Sequence, residues 1–315
     1  MRVLMSNRSD FTSYKVSFDG KLIDFTDANV HIASSSVLYG LSVYSVFPVS
    51  VTKEGLAIFR LKEHFKRLVD SAHIIGIDSF IQEWDFNRFN KAVQELVVEN
   101  SISNDIFVRA TVHVTELVSG TRSRGLQTKL SMFIYSSQSI LPANGARLKT
   151  THWRRVPDIS IPARAKVNGA YVNSVLGKQD AIDSGYDDCI FLDNSGHVCE
   201  LSAANIFCVR NGVLITPSTT SDILEGINRR AVIEYAKGLN IEVQERSVDL
   251  TELYIADEVF ACGTSAYLTP VIEIDGRIIA DGNCGPITEK LSKIHDDTLH
   301  GRINSSKKYL TYISK

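Results

Sequence analysis

The chain has 315 residues, of which 44% are apolar, and a formal net charge of -2. This length and apolar content predict a substantial buried core, in two domains or one elaborate domain. A small net charge with both signs mixed argues against a nucleic-acid partner. The sequence has no apolar run long enough to span a bilayer, and residues 1–8 lack the apolar core of a signal peptide. We therefore expect a cytoplasmic protein with no membrane partner.

The spacing of the cysteines also favours a cytoplasmic protein. The five cysteines form no Cys-x-x-Cys pair and lie mostly in apolar, strand-like runs (Cys189, Cys199, Cys208, Cys262 and Cys284). We interpret them as reduced core thiols of a cytosolic protein. The sequence also lacks a His-Glu-x-x-His motif and a tight cysteine and histidine cluster, so we expect no metal site.

The first hundred residues alternate strand and helix patterns. Hairpins are predicted over residues 14–24 and 42–60 from β-branched and aromatic residues around glycine turns. Apolar residues at helical spacing predict helices over 61–72 and 86–97, the second with Asp85 as its N-cap.

A strand with strict alternation follows, from Ile106 to Val114. Its even-numbered positions are all apolar, so Arg109 and the other odd-numbered residues project from the opposite face. His113 on this face is interpreted as an ordinary strand histidine without a catalytic role. Another strand is predicted over 130–135, and residues 137–146 lose all periodicity, which is typical of a linker.

The segment from Ile161 to Tyr171 holds Lys166 among small residues, with no carboxylate close by in the sequence. Such surroundings suit a lysine that acts as a Schiff-base nucleophile, although a surface lysine before a helix is the simpler interpretation. From Tyr171 an amphipathic helix is predicted, and four apolar residues share one of its faces (Val172, Val175, Leu176 and Ile182).

The C-terminal half continues with short strands, including a hairpin at Asn211-Gly212. Gly226 precedes another helix. Because a helix start offers free N–H groups and the positive end of the helix dipole, this position is a candidate phosphate-binding site. A later strand runs into a turn of small residues at Gly263.

The order of these segments resembles the fold-type IV pyridoxal-phosphate (PLP) enzymes, the class IV aminotransferases, and most closely the branched-chain amino-acid aminotransferases. The matching pieces run nearly end to end: Val30 to Gly40, Phe59 to Leu68, Pro162 to Tyr171, Val198 to Phe207, Ile223 to Ile227, Ala256 to Phe260, Gly263-Thr264, Thr269 to Val271 and Cys284 to Thr288. The resemblance implies an α+β fold of two domains, with a small α/β domain over residues 1–136, a linker over 137–147 and a larger pseudo-barrel domain over 148–315.

The same resemblance implies the cofactor chemistry. Lys166 would form the Schiff base with PLP and then move the proton between the substrate and the cofactor. Glu200 would pair with the pyridinium nitrogen, so that the ring can accept electron density. Tyr171 would bond the phenolate oxygen of the cofactor.

The remaining implied roles concern the phosphate, the substrate and the assembly. The phosphate would be bound by Arg60, by the helix-start amides of Ile227 and Asn228, and by Thr264. The substrate would be bound by Tyr39, Arg109, Ser265 and Ala266. The family also implies a homodimer acting on an amino acid and a 2-oxo acid.

The sequence departs from the family on the substrate side. An aromatic-Glu-Gly run is replaced by Tyr44-Ser45-Val46, a tyrosine by Phe107, a threonine by Asn228, and a Gly-Glu pair by Ala203-Ala204. The valine fills space that substrate atoms would use, and the lost carboxylate is expected to alter the polar network around Arg109. We therefore expect an aminotransferase for a substrate other than leucine, isoleucine or valine.

Two alternatives remain open at this stage. The same fold could carry other PLP chemistry, either elimination as in aminodeoxychorismate lyase or transamination of D-amino acids. A non-catalytic descendant could instead serve as a binding or dimerisation module.

Overall fold

The computed structural model describes residues 11–118 and 120–314. The elements of its first half are β1 (Lys15–Phe18), β2 (Lys21–Asp24), α1 (Ser35–Leu38), β3 (Ser42–Thr52), β4 (Gly55–Phe59), α2 (Leu61–Ile74), α3 (Asp78–Glu83), α4 (Phe86–Glu99), β5 (Ile106–Val114) and β6 (Thr128–Ser136). The second half contains β7 (Ala146–Arg154), α5 (Tyr171–Asp183), β8 (Asp188–Leu192), β9 (Val198–Leu201), β10 (Asn205–Arg210), β11 (Val213–Thr216), α6 (Ile227–Gly238), β12 (Val243–Glu245), α7 (Leu250–Tyr254), β13 (Glu258–Gly263), β14 (Tyr267–Ile274), β15 (Arg277–Ile278), α8 (Pro286–Leu299) and β16 (Leu310–Tyr312).

The chain divides into two compact units. The first contains the residues up to Ser137, the segment Ala165–Gly169 and the residues from Leu299 onward, and the second contains Gln138–Arg164 and Ala170–Thr298. The expected large domain, 148–315, differs from this second unit at three places: the unit also contains residues 138–147, and the Lys166 segment and the residues from Leu299 onward belong to the first unit. The expected domain boundaries stay a prediction.

The first unit is built on a seven-stranded sheet in the order β16-β4-β3-β5-β6-β1-β2. All five even-numbered residues of β5 are buried, as predicted, and Phe107 and Thr111 on the opposite face are buried as well. On the face of the even-numbered residues, Phe47 of β3 packs against His64 of α2 and Phe89 of α4. The two predicted helices therefore cover the apolar face of the sheet, and the face that carries Arg109 is left for other contacts.

The second unit is built on a nine-stranded sheet in the order β12-β11-β10-β13-β14-β7-β8-β9, with β15 paired to β14. Apolar residues from β7, β8, β9, β10, β13 and β14 share one core cluster. A sheet whose strands enclose a common core in this way agrees with the expected pseudo-barrel. Helices α6 and α8 pack on another cluster formed by β10 and β13.

Helix α5 faces opposite to what its sequence suggests. Its buried residues are small (Ser174, Gly177 and Ala181), whereas the apolar set predicted to share one face is between 39% and 64% exposed (Val172, Val175, Leu176 and Ile182). The reason is close packing, because a Cβ at Gly177 would lie 2.3 Å from the ring of Phe191 in β8. Small residues let the helix approach the sheet, and the larger apolar residues are left outside.

Several local predictions are confirmed. The hairpin over 14–24 forms as β1 and β2, and Asp85 caps α4 by accepting a bond from the Arg88 amide at 2.7 Å. All five cysteines carry free thiols as predicted, and four of them are buried, but Cys284 is exposed, so its expected place in the core was wrong. Across the described residues, no helix is long and apolar enough to cross a membrane.

Candidate active site

Lys166 belongs to the first unit, where its segment extends the sheet beside β3. The Tyr44 amide donates to the Lys166 carbonyl at 3.0 Å, and the Lys166 amide donates to the Ser71 hydroxyl at 3.0 Å. Val167 forms an antiparallel bridge with Val43. The backbone of the lysine is therefore held on both sides, and its Nζ lies 4.8 Å from the centre of the Tyr44 ring.

Arg109 meets the same aromatic ring. Its Cζ lies 3.7 Å from the centre of the Tyr44 ring, and its Nη2 donates to Asn168 Oδ1 at 2.5 Å. Asn168 in turn donates through Nδ2 to the Ser42 hydroxyl at 2.8 Å. The structure thus brings Lys166 and Arg109 together around Tyr44.

Tyr39 lies at the end of α1, next to a tight approach between two backbone segments. Gly40 adopts a φ of +65°, and a Cβ on it would lie 2.8 Å from the Gly169 Cα, so a side chain is excluded there. The Gly169 amide donates to the Gly40 carbonyl at 3.3 Å. Tyr39, which is 45% exposed, is therefore anchored beside the segment that carries Lys166.

Arg60 lies elsewhere in the first unit, immediately before α2. It has a left-handed backbone with a φ of 50°, and its Nη1 donates to Glu63 Oε1 at 2.9 Å. Its Cζ lies 4.1 Å from the centre of the Tyr309 ring. The buried guanidinium is thus oriented by a carboxylate and an aromatic ring, and its expected phosphate contact stays a prediction.

In the second unit, Glu200 of β9 is buried and held by several donors. Its Oε1 accepts from Arg155 Nη2 at 2.8 Å, and its Oε2 accepts from Asn205 Nδ2 at 3.0 Å and from the Leu224 amide at 3.2 Å. The carboxylate is only 6% exposed. A buried carboxylate requires such partners, and the guanidinium compensates its charge.

The start of α6 lies against the same network. A Cβ at Gly226 would lie 2.1 Å from Asn205 Oδ1, so only glycine permits this contact. No side chain caps the helix, and within the described chain the amide N–H groups of Ile227 and Asn228 have no acceptor. Both residues are buried. Free N–H groups at a helix start suit an anion, and the phosphate contact expected here stays a prediction.

The turn between β13 and β14 is part of this end of the sheet. Asn205 pairs with Cys262 across the strands, and a Cβ on Gly263 would lie 3.3 Å from the Ala203 carbonyl. Thr264 and Ser265 are partly exposed, and Ala266 is buried. The structure therefore brings Glu200, the start of α6 and this turn together within the second unit.

Tyr171 is the first residue of α5 and is partly exposed, and it belongs to the second unit. Its expected bond to the cofactor stays a prediction.

Several residues that contribute to these contacts were given no role from sequence, among them Tyr44, Arg155, Asn168 and Asn205. Arg155 and Asn205 hold Glu200. From sequence, the only reason to expect an arginine partner was that a buried carboxylate needs a cation. That reason does not distinguish Arg155 from the neighbouring Arg154, which is exposed. Asn168 follows Lys166 closely in the sequence and could have been considered a candidate on that ground.

One expectation about the substrate side was wrong. The Ser45 hydroxyl lies 3.0 Å from His64 Nδ1 and accepts from Arg67 Nη2 at 3.3 Å, so it points towards α2. Because neighbouring strand residues face opposite sides, the difference at Ser45 does not alter the network around Arg109. Val46, by contrast, is directly opposite Arg109 in the sheet and shares its face.

Two other departures have clear structural outcomes. The side chain of Asn228 lies with its Nδ2 3.3 Å from Nε2 of His295 in α8. Phe107 is fully buried, with its ring 5.6 Å from that of Tyr135.

Residues 46–274 match the family of amino-transferase class IV. The chain belongs to the class IV aminotransferases. It is 37% identical over 298 residues to a probable branched-chain-amino-acid aminotransferase of Aquifex aeolicus (strain VF5), covering 93% of this chain and 95% of the relative. A crystal structure of a branched-chain aminotransferase from Thermoproteus uzoniensis with norvaline superposes with a TM-score of 0.91 at 36% identity, over 96% of this chain and 99% of that one. A branched-chain amino acid aminotransferase from Thermobaculum terrenum in its PLP form superposes with a TM-score of 0.88 at 30% identity, over 97% of this chain and 100% of that one.

Membership of the class IV aminotransferases confirms the family, the fold class and PLP-dependent transamination. The residues of this chain fit that cofactor. The first unit provides a lysine on an aromatic ring. The second unit provides a buried carboxylate suited to a ring nitrogen and two buried amides suited to a phosphate.

Proposed function

We propose that Lys166 is the lysine of this aminotransferase that binds PLP, and that the substrate is an amino acid other than leucine, isoleucine or valine. The observation that carries the cofactor proposal is the buried Glu200 carboxylate, fixed by Arg155 and adjacent to a helix start with free amides. Lys166 is assigned because its backbone is fixed and its Nζ lies over the Tyr44 ring. The buried carboxylate can accept a hydrogen bond from a ligand, and the free N–H groups can bind an anion. The two together suit a ligand that carries both a proton donor and an anionic group. PLP has both groups, in its ring nitrogen and its phosphate.

When bound, PLP supplies an aldehyde that condenses with amines and a ring that takes up electrons from the carbon that loses its proton. Lys166 Nζ acts as the nucleophile and then carries that proton as general base and acid. The two backbone bonds that fix Lys166 leave only its side chain to move during this transfer.

The other residues of the proposed site bind and orient. Glu200 accepts the N–H of the ring nitrogen, and Arg155 and Asn205 keep its carboxylate oriented. Tyr171 donates its hydroxyl to the phenolate oxygen. The phosphate is bound by the amides of Ile227 and Asn228, the Thr264 hydroxyl and the Arg60 guanidinium. Ser265, Ala266, Tyr39 and Arg109 bind the substrate.

The proposed difference in substrate rests on Val46. Its side chain shares the sheet face of Tyr44 and Arg109 and is 8% exposed. Its methyl groups occupy space beside Arg109 where the family usually has a glycine. A pocket reduced by that volume rejects side chains branched close to the reacting carbon more strongly than unbranched ones.

We also propose that the aminotransferase is a homodimer. Four apolar residues on one side of α5 are exposed, with the polar Gln179 among them (Val172, Val175, Leu176 and Ile182). A group of exposed apolar side chains on one helix is a candidate interaction surface. A second copy of the chain would cover this face.

A screen of amino donors tests the substrate proposal. The cofactor-loaded protein is mixed with one amino acid at a time, and conversion of the cofactor to its amine form is followed by absorbance. Leucine, isoleucine and valine are expected to react more slowly than unbranched donors, and Val46→Gly is expected to reduce that difference. Equal rates for branched and unbranched donors in the native protein would contradict the proposal.

A further inference from the structure

The first unit contains a cavity of about 450 Å³ that the predicted site residues do not explain. Its floor is the polar face of β5, where Arg109, Thr111 and His113 follow one another at alternate positions. Ser131 of β6 lies directly opposite Thr111 and lines the same floor.

The far end of this floor has unused hydrogen-bonding capacity. His113 Nε2 lies 2.9 Å from the Ser131 hydroxyl. The other ring nitrogen of His113 and the hydroxyl of Thr111 have no partner among the described residues, although Thr111 is only 4% exposed. Neither atom is sealed from solvent, so both are open to a ligand in the cavity that forms hydrogen bonds with them.

Charge is confined to the near end of the cavity. Among the described residues that line it, Arg109 is the only charged one at neutral pH, and it is held by Asn168. Burial and the neighbouring Arg109 lower the pKa of His113 to about 4, so its imidazole is neutral at pH 7. The walls are apolar, and they include Phe18, Phe25 and Val30.

The cavity lies beside Tyr44, which is directly opposite Thr111 in the sheet, although neither Tyr44 nor Lys166 lines it. The Tyr44 ring contacts Arg109, which lines the cavity, and also lies 4.8 Å from Lys166 Nζ. From Arg109 the strand spacing places Thr111 about 7 Å and His113 about 14 Å further along the sheet. His113 is opposite Ser42, the next pair along on the same face, so a substrate group that reaches His113 must be carried by a long side chain.

We propose that this cavity is a subsite for a long substrate side chain with an apolar body and a neutral hydrogen-bonding tip, such as a hydroxyl or an amide, which Thr111 and His113 recognise. The apolar walls match the body, and the uncharged far end matches the tip better than a carboxylate. This inference rests on the proposed role of Lys166 and adds the substrate class to it.

Paired acids that lack the amino group test the subsite, since they bind without reacting. Calorimetry of the cofactor-loaded protein compares 3-(4-hydroxyphenyl)propanoate with 3-phenylpropanoate, and 6-hydroxyhexanoate with hexanoate. In at least one pair, the hydroxylated acid is expected to bind about 3- to 10-fold more tightly than its partner, the effect of one neutral hydrogen bond. The pair that shows this preference tells whether the tip is phenolic or aliphatic. Adipate tests a charged tip. Equal affinities within both pairs, or tighter binding of adipate than of either hydroxylated acid, would overturn the proposal.

Variants locate the recognition. Thr111→Val and His113→Phe are expected to remove the preference for the hydroxylated acid while leaving the affinity of its partner acid within about 2-fold. His73→Phe, on the exposed surface of α2, is the matched control and is expected to keep the preference. If the preference persists in both cavity variants, the proposed recognition is wrong.

Failure of the subsite and failure of the proposed function give different results. If the proposed function is wrong, the cofactor is not attached to Lys166, which is detected on the cofactor and not by the binding of the acids. A protein that binds PLP at Lys166 and transaminates, yet shows no preference within either pair, contradicts only the subsite.

Discussion

Replacing Arg155 with methionine tests how far the Glu200 carboxylate depends on its partner. The two side chains are 13% and 6% exposed, and their closest atoms lie 2.8 Å apart. Removing one partner of a buried pair leaves an uncompensated charge and costs about 3 to 5 kcal/mol of unfolding free energy. Because Arg155 is slightly exposed, we expect a loss near the lower end, about 3 kcal/mol.

A double-mutant cycle isolates the interaction. Glu200→Gln removes the charge and keeps an oxygen that can accept from Asn205 and Leu224. The double variant carries neither charge, so it is expected to be more stable than Arg155→Met alone, with a coupling energy of about 2 kcal/mol or more. Urea unfolding of the cofactor-free protein measures this without a contribution from cofactor binding.

An exposed ion pair provides the control for the cycle. Lys66 and Asp70 lie one turn apart on α2, with side chains 73% and 50% exposed. Their cycle is expected to give a coupling energy of about 0.5 kcal/mol or less, because solvent screens exposed pairs. A coupling energy for Arg155 and Glu200 as small as this would refute the reasoning.

Three further outcomes are expected. Gly177→Ala should lower the melting temperature despite a helix-propensity gain of about 1 kcal/mol, because its Cβ would clash with β8, whereas Gly238→Ala, with open space, should not lower it. The pKa of His113 in the folded protein is about 4, below its ordinary 6.5. Its contribution to the unfolding free energy is therefore present above pH 6.5 and is lost as the pH falls through 4. Between pH 7 and 4.5 the native protein should lose about 2.5 kcal/mol more of its unfolding free energy than His113→Phe, as measured by urea unfolding. Parallel pH curves would contradict this. Val172→Asp with Val175→Asp should give monomers by light scattering, and a persistent dimer would exclude this face.

The elements were predicted where one physical rule decided them. The alternation in β5 exposes Arg109 because each strand residue faces opposite to its neighbours. Asp85 caps α4 because its side chain can bond the orphan amide of Arg88. The free amides after Gly226 follow from the rule that every helix start has unbonded N–H groups, and their binding of a phosphate stays a prediction.

The remaining features depend on contacts that local sequence does not record. Arg155 and Glu200 are distant in the chain, and nothing in either segment identifies the other. The burial of the small face of α5 follows from its fit against Phe191, not from its own apolar residues. The cavity beyond Arg109 requires the register of β5 with β6, which brings Ser131 opposite Thr111.

Borohydride trapping tests the central assignment most directly. Cofactor-loaded protein is reduced, digested and analysed by mass spectrometry, with Lys166→Ala and the exposed Lys66→Ala as paired variants. We predict that native protein and Lys66→Ala carry the reduced cofactor on the peptide containing Lys166, and that Lys166→Ala carries none. Labelling of a different lysine in the native protein, or an unchanged label in Lys166→Ala, would contradict the account.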